Sequence, residues 1–168
     1  AVAEITLPFA IDLFGEASTT TAVLSTNGWM RFNATAADVS SSDLTNDALP
    51  TAATSSPLLA AFWDDLNNVS VRHQVKGQSG NRVFVIEYTA ETFTCTVSPC
   101  DIDFTIQLHE IDGRIVVAYD TVDGDSRPRG DSATIGLQNA DGTIARQVSF
   151  NTQVLQTGSN AEFVSFVP

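Results

Sequence analysis

The chain has 168 residues, enough for one domain with a sizeable core and too few for two comfortable ones. Twenty acidic residues against eight basic ones give a net charge of −12, so nucleic acid phosphates and anionic lipid heads are unfavourable partners. Apolar residues make up 43% of the chain, which argues against disorder, and no apolar run is long enough for membrane insertion.

A short strand that contains a proline opens the chain. Apolar residues alternate with others over residues 5–9, as in a strand. Pro8 has no backbone N–H to donate to a neighbouring strand. We therefore expect this strand at a sheet edge or beside a bulge.

The next two predicted strands, 20–26 and 29–32, flank the dipeptide Asn27-Gly28. Both residues of this dipeptide tolerate positive φ, which is what a two-residue hairpin turn requires. A two-residue turn at these positions would pair Val23 with Phe32 and Ser25 with Met30. We expect these four residues to share the face of the sheet that points to the core.

Residues 33–57 show no sustained period and are rich in Ala, Ser, Thr and Asp. We expect a long surface loop here, with a short helical turn after Ser42. A loop of this length in a compact domain is a candidate for part of a binding surface. The alternative is a functionally silent insertion.

An apolar run at 58–63 ends in two adjacent carboxylates. We expect a buried strand that leads into an acidic loop, where Asp64, Asp65 and Asn67 offer oxygen ligands for calcium. Neighbouring residues of one strand point to opposite faces, so both aspartates reach one ion only if the strand ends there. The alternative is that one aspartate caps a turn while the other is solvated.

A second candidate calcium site lies at Asp120, Asp123 and Asp125. The spacing of these acids resembles the start of an EF-hand loop, but the remainder of that loop is missing. Calcium is the one cofactor that the sequence indicates.

Asp112-Gly113 predicts a second two-residue hairpin turn. In the corresponding register, the apolar faces of the two strands coincide. The predicted pairs are Leu108 with Val117 and Ile106 with Tyr119.

Further strands complete an all-β pattern. Residues 83–86 predict a central strand buried on both faces, Asp141-Gly142 predicts a third hairpin, and 162–167 predict a closing strand. About ten short strands without helical spacing predict an antiparallel β-sandwich, with the jelly roll as a candidate topology, formed by residues 1–168 as a single domain. We expect the first and last strands to pair.

The two cysteines, Cys95 and Cys100, are separated by four residues that include a proline. No histidine or further cysteine lies nearby to complete a zinc site, so we predict a disulfide that closes one short loop. A disulfide indicates an oxidising compartment and therefore an extracellular or cell-surface location.

Several short phrases together resemble a β-rich module of large secreted and surface proteins of bacteria, distantly similar to the nidogen-like extracellular domain. They run through nearly the whole chain: Ile5-Thr-Leu-Pro-Phe9 with Phe14-Gly15, Leu24-Ser-Thr-Asn-Gly-Trp-Met-Arg-Phe32, Ala61-Phe-Trp-Asp-Asp-Leu66, Arg82-Val-Phe-Val-Ile-Glu87 and Ile135-Gly-Leu-Gln-Asn-Ala-Asp-Gly142. The resemblance implies an accessory domain, attached to other domains of the same polypeptide and associated with adhesion. It brings no catalytic residues with it.

No catalytic motif stands out in the sequence. The only histidines, His73 and His109, fall at alternating strand positions and outside a nucleophile motif. We therefore predict a non-catalytic extracellular binding or adhesion module, with calcium as a stabilising ion, whose ligand is an extracellular protein or polysaccharide. The alternatives are a carbohydrate-binding accessory domain of a secreted hydrolase, with Trp29 and Trp63 as sugar-stacking candidates, and a hydrolase built on the sandwich itself.

Overall fold

The computed structural model describes residues 1–39, 43–52 and 54–164. Within them the chain forms one 3-10 turn, Ala36–Asp38, and eleven β-strands. The strands are β1 (Val2–Ile11), β2 (Thr19–Ser25), β3 (Trp29–Phe32), β4 (Leu58–Trp63), β5 (Leu66–Lys76), β6 (Val83–Thr92), β7 (Asp101–His109), β8 (Ile115–Val122), β9 (Thr134–Gln138), β10 (Ala145–Phe150) and β11 (Asn160–Phe163). No helix in the described ranges is long and apolar enough to cross a membrane.

The strands form two antiparallel sheets, which confirms the predicted all-β sandwich. One sheet has six strands in the order β1-β2-β3-β4-β9-β10, and the other has five in the order β11-β8-β7-β6-β5. Along β7, buried residues alternate with half-buried ones, as expected when one face packs on the core and the other faces solvent.

Two tyrosines of the five-stranded sheet cross the core to the six-stranded sheet. The Tyr88 hydroxyl donates to the Ser25 carbonyl at 3.0 Å, and the Tyr119 hydroxyl donates to the Ala61 carbonyl at 2.6 Å. Burial raises the pKa of both phenols, so both remain donors. The Tyr88 ring also stacks on Phe104, with the ring centroids 4.7 Å apart.

The first hairpin forms where predicted, but the predicted register is wrong by one residue. The strands pair Ala22 with Phe32 and Leu24 with Met30, because the loop contains three residues, Thr26 to Gly28, rather than two. The Gly28 N–H donates to the Ser25 carbonyl at 3.2 Å, and Gly28 has φ of +73°. This is a turn followed by a left-handed residue, the usual form of a three-residue hairpin loop.

The register shift moves Val23 from the core face to the outer face. A Cβ atom at Gly28 would lie 1.9 Å from the Phe62 carbonyl oxygen, so glycine is required for the close approach of this turn to β4.

The hairpin at Asp112-Gly113 also forms, with a register that differs by two residues from the predicted one. The pairs are Leu108 with Ile115 and Ile106 with Val117, around a loop of four residues. A shift of two residues leaves every side chain on its original face, so the prediction that the apolar faces coincide is confirmed. The hairpin at Asp141-Gly142 is present between β9 and β10.

The predicted position of the first strand in the sheet is confirmed, whereas the predicted position of the last strand is not. β1 is an edge strand, and its pairing with β2 is interrupted between Thr6 and Ile11, around Pro8. β1 and β11 lie in different sheets, so the predicted pairing of the first and last strands is wrong. Of the predicted closing strand 162–167, residues 165–167 lie outside the described residues.

The prediction that residues 83–86 are buried on both faces is also wrong. Phe84 and Ile86 are buried, whereas Val83 and Val85 are half-buried on the outer face. The strands buried along their whole length are β4 and β9, in the middle of the six-stranded sheet.

Residues 43–52 and 54–57, which we call the strap, lie across the outer face of the six-stranded sheet. The Asp43 carbonyl accepts hydrogen bonds from the indole N–H groups of Trp29 at 3.0 Å and Trp63 at 3.4 Å. Farther along, the Leu49 N–H donates to Gln147 Oε1 at 2.7 Å. The predicted surface loop therefore covers part of the sheet.

The helical turn predicted after Ser42 is wrong in position, because the 3-10 turn lies at Ala36–Asp38 and the described part of the strap contains no helix.

Leu49 is buried where the strap crosses β9. A Cβ atom at Gly136 would lie 2.7 Å from the Leu49 Cδ1 atom, so a small residue is needed beneath it.

Candidate functional site

The two aspartates of the predicted metal site form a corner between the sheets. β4 ends at Trp63 in the six-stranded sheet and β5 begins at Leu66 in the five-stranded sheet, so Asp64 and Asp65 make the whole connection. The strand therefore ends there, which is the condition for both carboxylates to approach one ion.

Both carboxylate oxygens of Asp64 already accept hydrogen bonds from the protein. Oδ1 accepts from the Asp65 N–H at 2.8 Å, and Oδ2 accepts from the Ser132 hydroxyl at 2.5 Å. Asp64 is only 8% exposed, and burial raises its pKa, although these hydrogen bonds and the charge of Arg127 oppose that effect. Asp64 thus has the contacts of a residue that anchors the loop before β9.

The other two predicted ligands are arranged differently. Asp65 is half-buried, and its carbonyl accepts from the Phe93 N–H at 3.0 Å. Asn67 is exposed on β5, opposite Glu91. In the described residues, no group of three or more His, Cys, Asp or Glu side chains is placed to hold a metal. Calcium at Asp64, Asp65 and Asn67 stays a prediction, and the side chains in place do not form a carboxylate cage for it.

In the second candidate metal site, Asp125 supports the disulfide loop. Its carboxylate accepts from the N–H and the hydroxyl of Thr96, at 2.8 and 3.0 Å, and from the Arg127 N–H at 2.9 Å. These hydrogen bonds lower the pKa of Asp125, and the one from the Thr96 backbone N–H has the largest effect. Asp120 is exposed on β8, and Asp123 follows that strand. The predicted disulfide between Cys95 and Cys100 is confirmed.

The two sheets differ in what their outer faces expose. On the six-stranded sheet, the outward residues Val23, Trp29, Leu58, Ala60 and Trp63 form a second buried cluster with Leu49 of the strap. On the five-stranded sheet, the outward residues remain exposed or half-buried. We call this surface the uncovered face; its central residues are Arg72, Gln74, Val85, Glu87, Thr105, Gln107, Val116 and Ala118.

The charge on the uncovered face changes from one end to the other. The end near the disulfide loop is acidic, with Glu91, Asp101, Asp103 and Asp123 close together, and burial together with these like charges raises the pKa of Asp101. The opposite end, toward the β5–β6 turn, carries cationic side chains on β5.

A shallow hollow of about 340 Å³ lies at this cationic end. Arg72, Gln74 and Lys76 of β5 line it together with Glu87 of β6 and Thr105 of β7. None of these residues was predicted from the sequence as part of a site. The pattern is nevertheless visible in Val71-Arg-His-Gln-Val-Lys76, where arginine, glutamine and lysine fall on one face of a strand and the two valines, with His73, on the other.

The histidines and tryptophans do not form the sites considered from sequence. His73 contacts the Phe84 ring, and His109 Nε2 has no hydrogen-bond partner among the described residues. Trp29 and Trp63 are 1% and 3% exposed beneath the strap, so they offer no sugar-stacking surface.

Comparison with known families agrees with the two-sheet architecture. The profile described as NIDO related matches residues 1–167. The chain belongs to the NIDO-related family. It has no significant match among curated proteins or solved structures. Membership in this nidogen-related family and the Cys95–Cys100 disulfide are both consistent with an extracellular domain.

Proposed function

We propose that this NIDO-related domain is a non-catalytic extracellular adhesion module that binds an extracellular protein through the uncovered face. The observation that carries the proposal is the difference between the two sheets. The strap buries the outward residues of the six-stranded sheet, while those of the five-stranded sheet remain open to a partner. Flat sheet faces with mixed polar and aliphatic side chains suit protein partners.

The residue types on the uncovered face favour a protein over a neutral sugar. Its central residues are aliphatic, amide, hydroxyl or charged, without an aromatic ring on which a sugar could stack. The carbohydrate-binding alternative also loses the support of Trp29 and Trp63, which are buried. A hydrolase with a histidine-activated hydroxyl nucleophile lacks support too, because no histidine in the described ranges hydrogen-bonds to a hydroxyl group.

Retention of coated beads tests this function. Beads that carry the domain are washed over immobilised extracellular proteins and polysaccharides, and we expect retention on at least one protein surface. The variant Gln107→Arg, on the uncovered face, should lose retention because it adds a long charged side chain to the centre of that face.

The matched control is Gln153→Arg, which makes the same change at an exposed residue of the loop between β10 and β11. It should retain the beads as the unmodified domain does. Retention that falls equally for both variants, or no retention on any surface, would contradict the proposal.

Calcium is the second element of the proposal, since the sequence predicts it at Asp64, Asp65 and Asn67. Calorimetric titration of chelator-treated protein tests it, with Asp65→Asn as the variant that removes one charged ligand. Heat that saturates, together with a raised melting temperature, would support calcium binding. The absence of both at millimolar calcium would remove calcium from the proposal.

A further inference from the structure

β5 is the edge strand best suited to pair with an added strand. Its pairing with β6 runs without interruption from Ser70 to Lys76, which is seven residues. The regular runs of the other edge strands are shorter, with five residues in β1, three in β10 and four in β11. Alternate residues of an edge strand direct their N–H and C=O groups away from the sheet, where another strand can bind them.

The two faces of this edge have different chemistry. Val71, His73 and Val75 lie on the core face, where Val75 is 47% exposed at the free edge of the sheet. Arg72 and Lys76 lie on the uncovered face, four residues apart. A strand added here would place its side chains alternately beside the apolar row and beside the two cations.

The apolar side chains of the added strand would meet an open groove. A hollow of about 340 Å³ lies between the edges of the two sheets, lined by Ala3 and Ile5 of β1 and by Val69 and Val71 of β5. Its floor includes Leu24 of β2. The groove therefore runs along the core side of the same edge.

The cations of β5 are available to a partner. Arg82, Arg114 and Arg127 form ion pairs with neighbouring acids, whereas Arg72 and Lys76 form none with the described carboxylates. The net charge of −12 repels an acidic partner at a distance, but salt screens charges beyond about 8 Å, so the adjacent cations dominate at contact.

We propose that an extended acidic segment of an extracellular protein adds as a sixth strand to the five-stranded sheet at Ser70 to Lys76. This inference rests on the proposed function and identifies the class of partner. Two acidic residues, four positions apart, lie beside Arg72 and Lys76, and apolar residues between them enter the groove. A second copy of β5 does not fit, because residues 69–76 contain no acid to place opposite these cations.

A synthetic peptide tests the proposal. Its sequence, Val-Glu-Val-Thr-Val-Glu-Val, reads the same in both directions and so suits parallel or antiparallel addition. With its glutamates beside Arg72 and Lys76, we expect it to bind and to slow amide exchange from Val71 to Lys76, because strand addition bonds the free edge groups. Arg72→Glu should weaken binding by roughly tenfold, since repulsion replaces attraction.

Two controls separate strand addition from general charge attraction. Arg129→Glu makes the same charge change at a half-buried residue of the loop before β9 and should alter binding by no more than about twofold, the effect expected of a remote charge. The peptide with N-methyl groups on alternate backbone nitrogens keeps its side chains but loses donors, and should not bind.

The inference is overturned if the N-methylated peptide binds equally, if Arg129→Glu weakens binding as much as Arg72→Glu, or if exchange slows elsewhere. Self-association that protects residues 70–76 without peptide would also overturn it, in favour of a second copy. Failure of the peptide alone rejects the acidic strand. The proposed function is rejected separately, by the bead experiment with Gln107→Arg.

Discussion

Asp64 shows how one side chain stabilises a corner of this fold. It is the first of the two residues that connect the sheets, and its carboxylate joins the corner to Ser132, which is 68 positions away in the chain. The sequence marks Asp64 as unusual because a carboxylate follows a fully apolar strand. It does not reveal Ser132, since nothing local to either residue encodes that contact.

Burial of the Asp64 carboxylate predicts how the stability of the domain changes with pH. Because burial raises the folded pKa of Asp64, its contribution to stability is complete below the unfolded pKa of about 4 and is lost as pH rises through the folded value. Asp64→Asn removes this titration, so its free energy of unfolding should fall less than that of the unmodified domain between pH 4 and 7. Urea unfolding across that range measures the difference.

Asp65→Asn is the matched control for the Asp64 experiment, since it changes the adjacent carboxylate, which is half-buried rather than 8% exposed. It should keep the decline in stability that the unmodified domain shows. Equal declines in the unmodified domain and in Asp64→Asn would contradict the assignment of the effect to Asp64.

The strap determines which sheet is available for binding. Its attachments are made by side chains that the sheet itself provides, including the Trp29 and Trp63 indoles and Gln147. From sequence, residues 33–57 appear only as a polar segment without a period. The cover they provide depends on outward residues of five different strands, β2, β3, β4, β9 and β10, which a local pattern does not connect.

Leu49 provides the test of the strap. Leu49→Ala should lower the free energy of unfolding by about 2 kcal/mol, the lower end for a buried leucine, because the site lies near the surface. Leu44→Ala makes the same truncation in the strap at a residue that is 42% exposed, and should cost little. Chemical denaturation measures both, and equal costs would show that the strap does not pack on the sheet.

Hairpins illustrate what a sequence predicts well and what it does not. Asn27-Gly28 and Asp112-Gly113 both mark turns, but their loops contain three and four residues. The loop length depends on the φ values that the turn adopts, and Gly28 permits a positive φ where a Cβ atom would clash with the Phe62 carbonyl oxygen. A register shift of two residues keeps every side chain on its predicted face of the sheet, whereas a shift of one residue moves it to the opposite face. The one-residue error at the first hairpin therefore put Val23 on the wrong face, and the two-residue error at the second changed no face.

The whole domain is a sandwich with one covered sheet and one open sheet. Strand alternation and turn residues were sufficient to predict the two-sheet architecture, and the phrases quoted from the sequence indicated the NIDO-related family that the chain belongs to. The proposed binding surface was not predicted, because it is defined by which sheet the strap leaves open. Arg72 and Lys76, which form no ion pair with the described carboxylates, were visible in the sequence, but only the fold places them at an open edge.

Amide hydrogen exchange of the domain, measured with and without the immobilised protein that retains the beads, is the sharpest test of binding through the uncovered face. We expect slower exchange in β5 to β8 on binding, greatest at Ser70 to Lys76, with exchange in the strap unchanged. Slower exchange confined to the strap and the six-stranded sheet would contradict it.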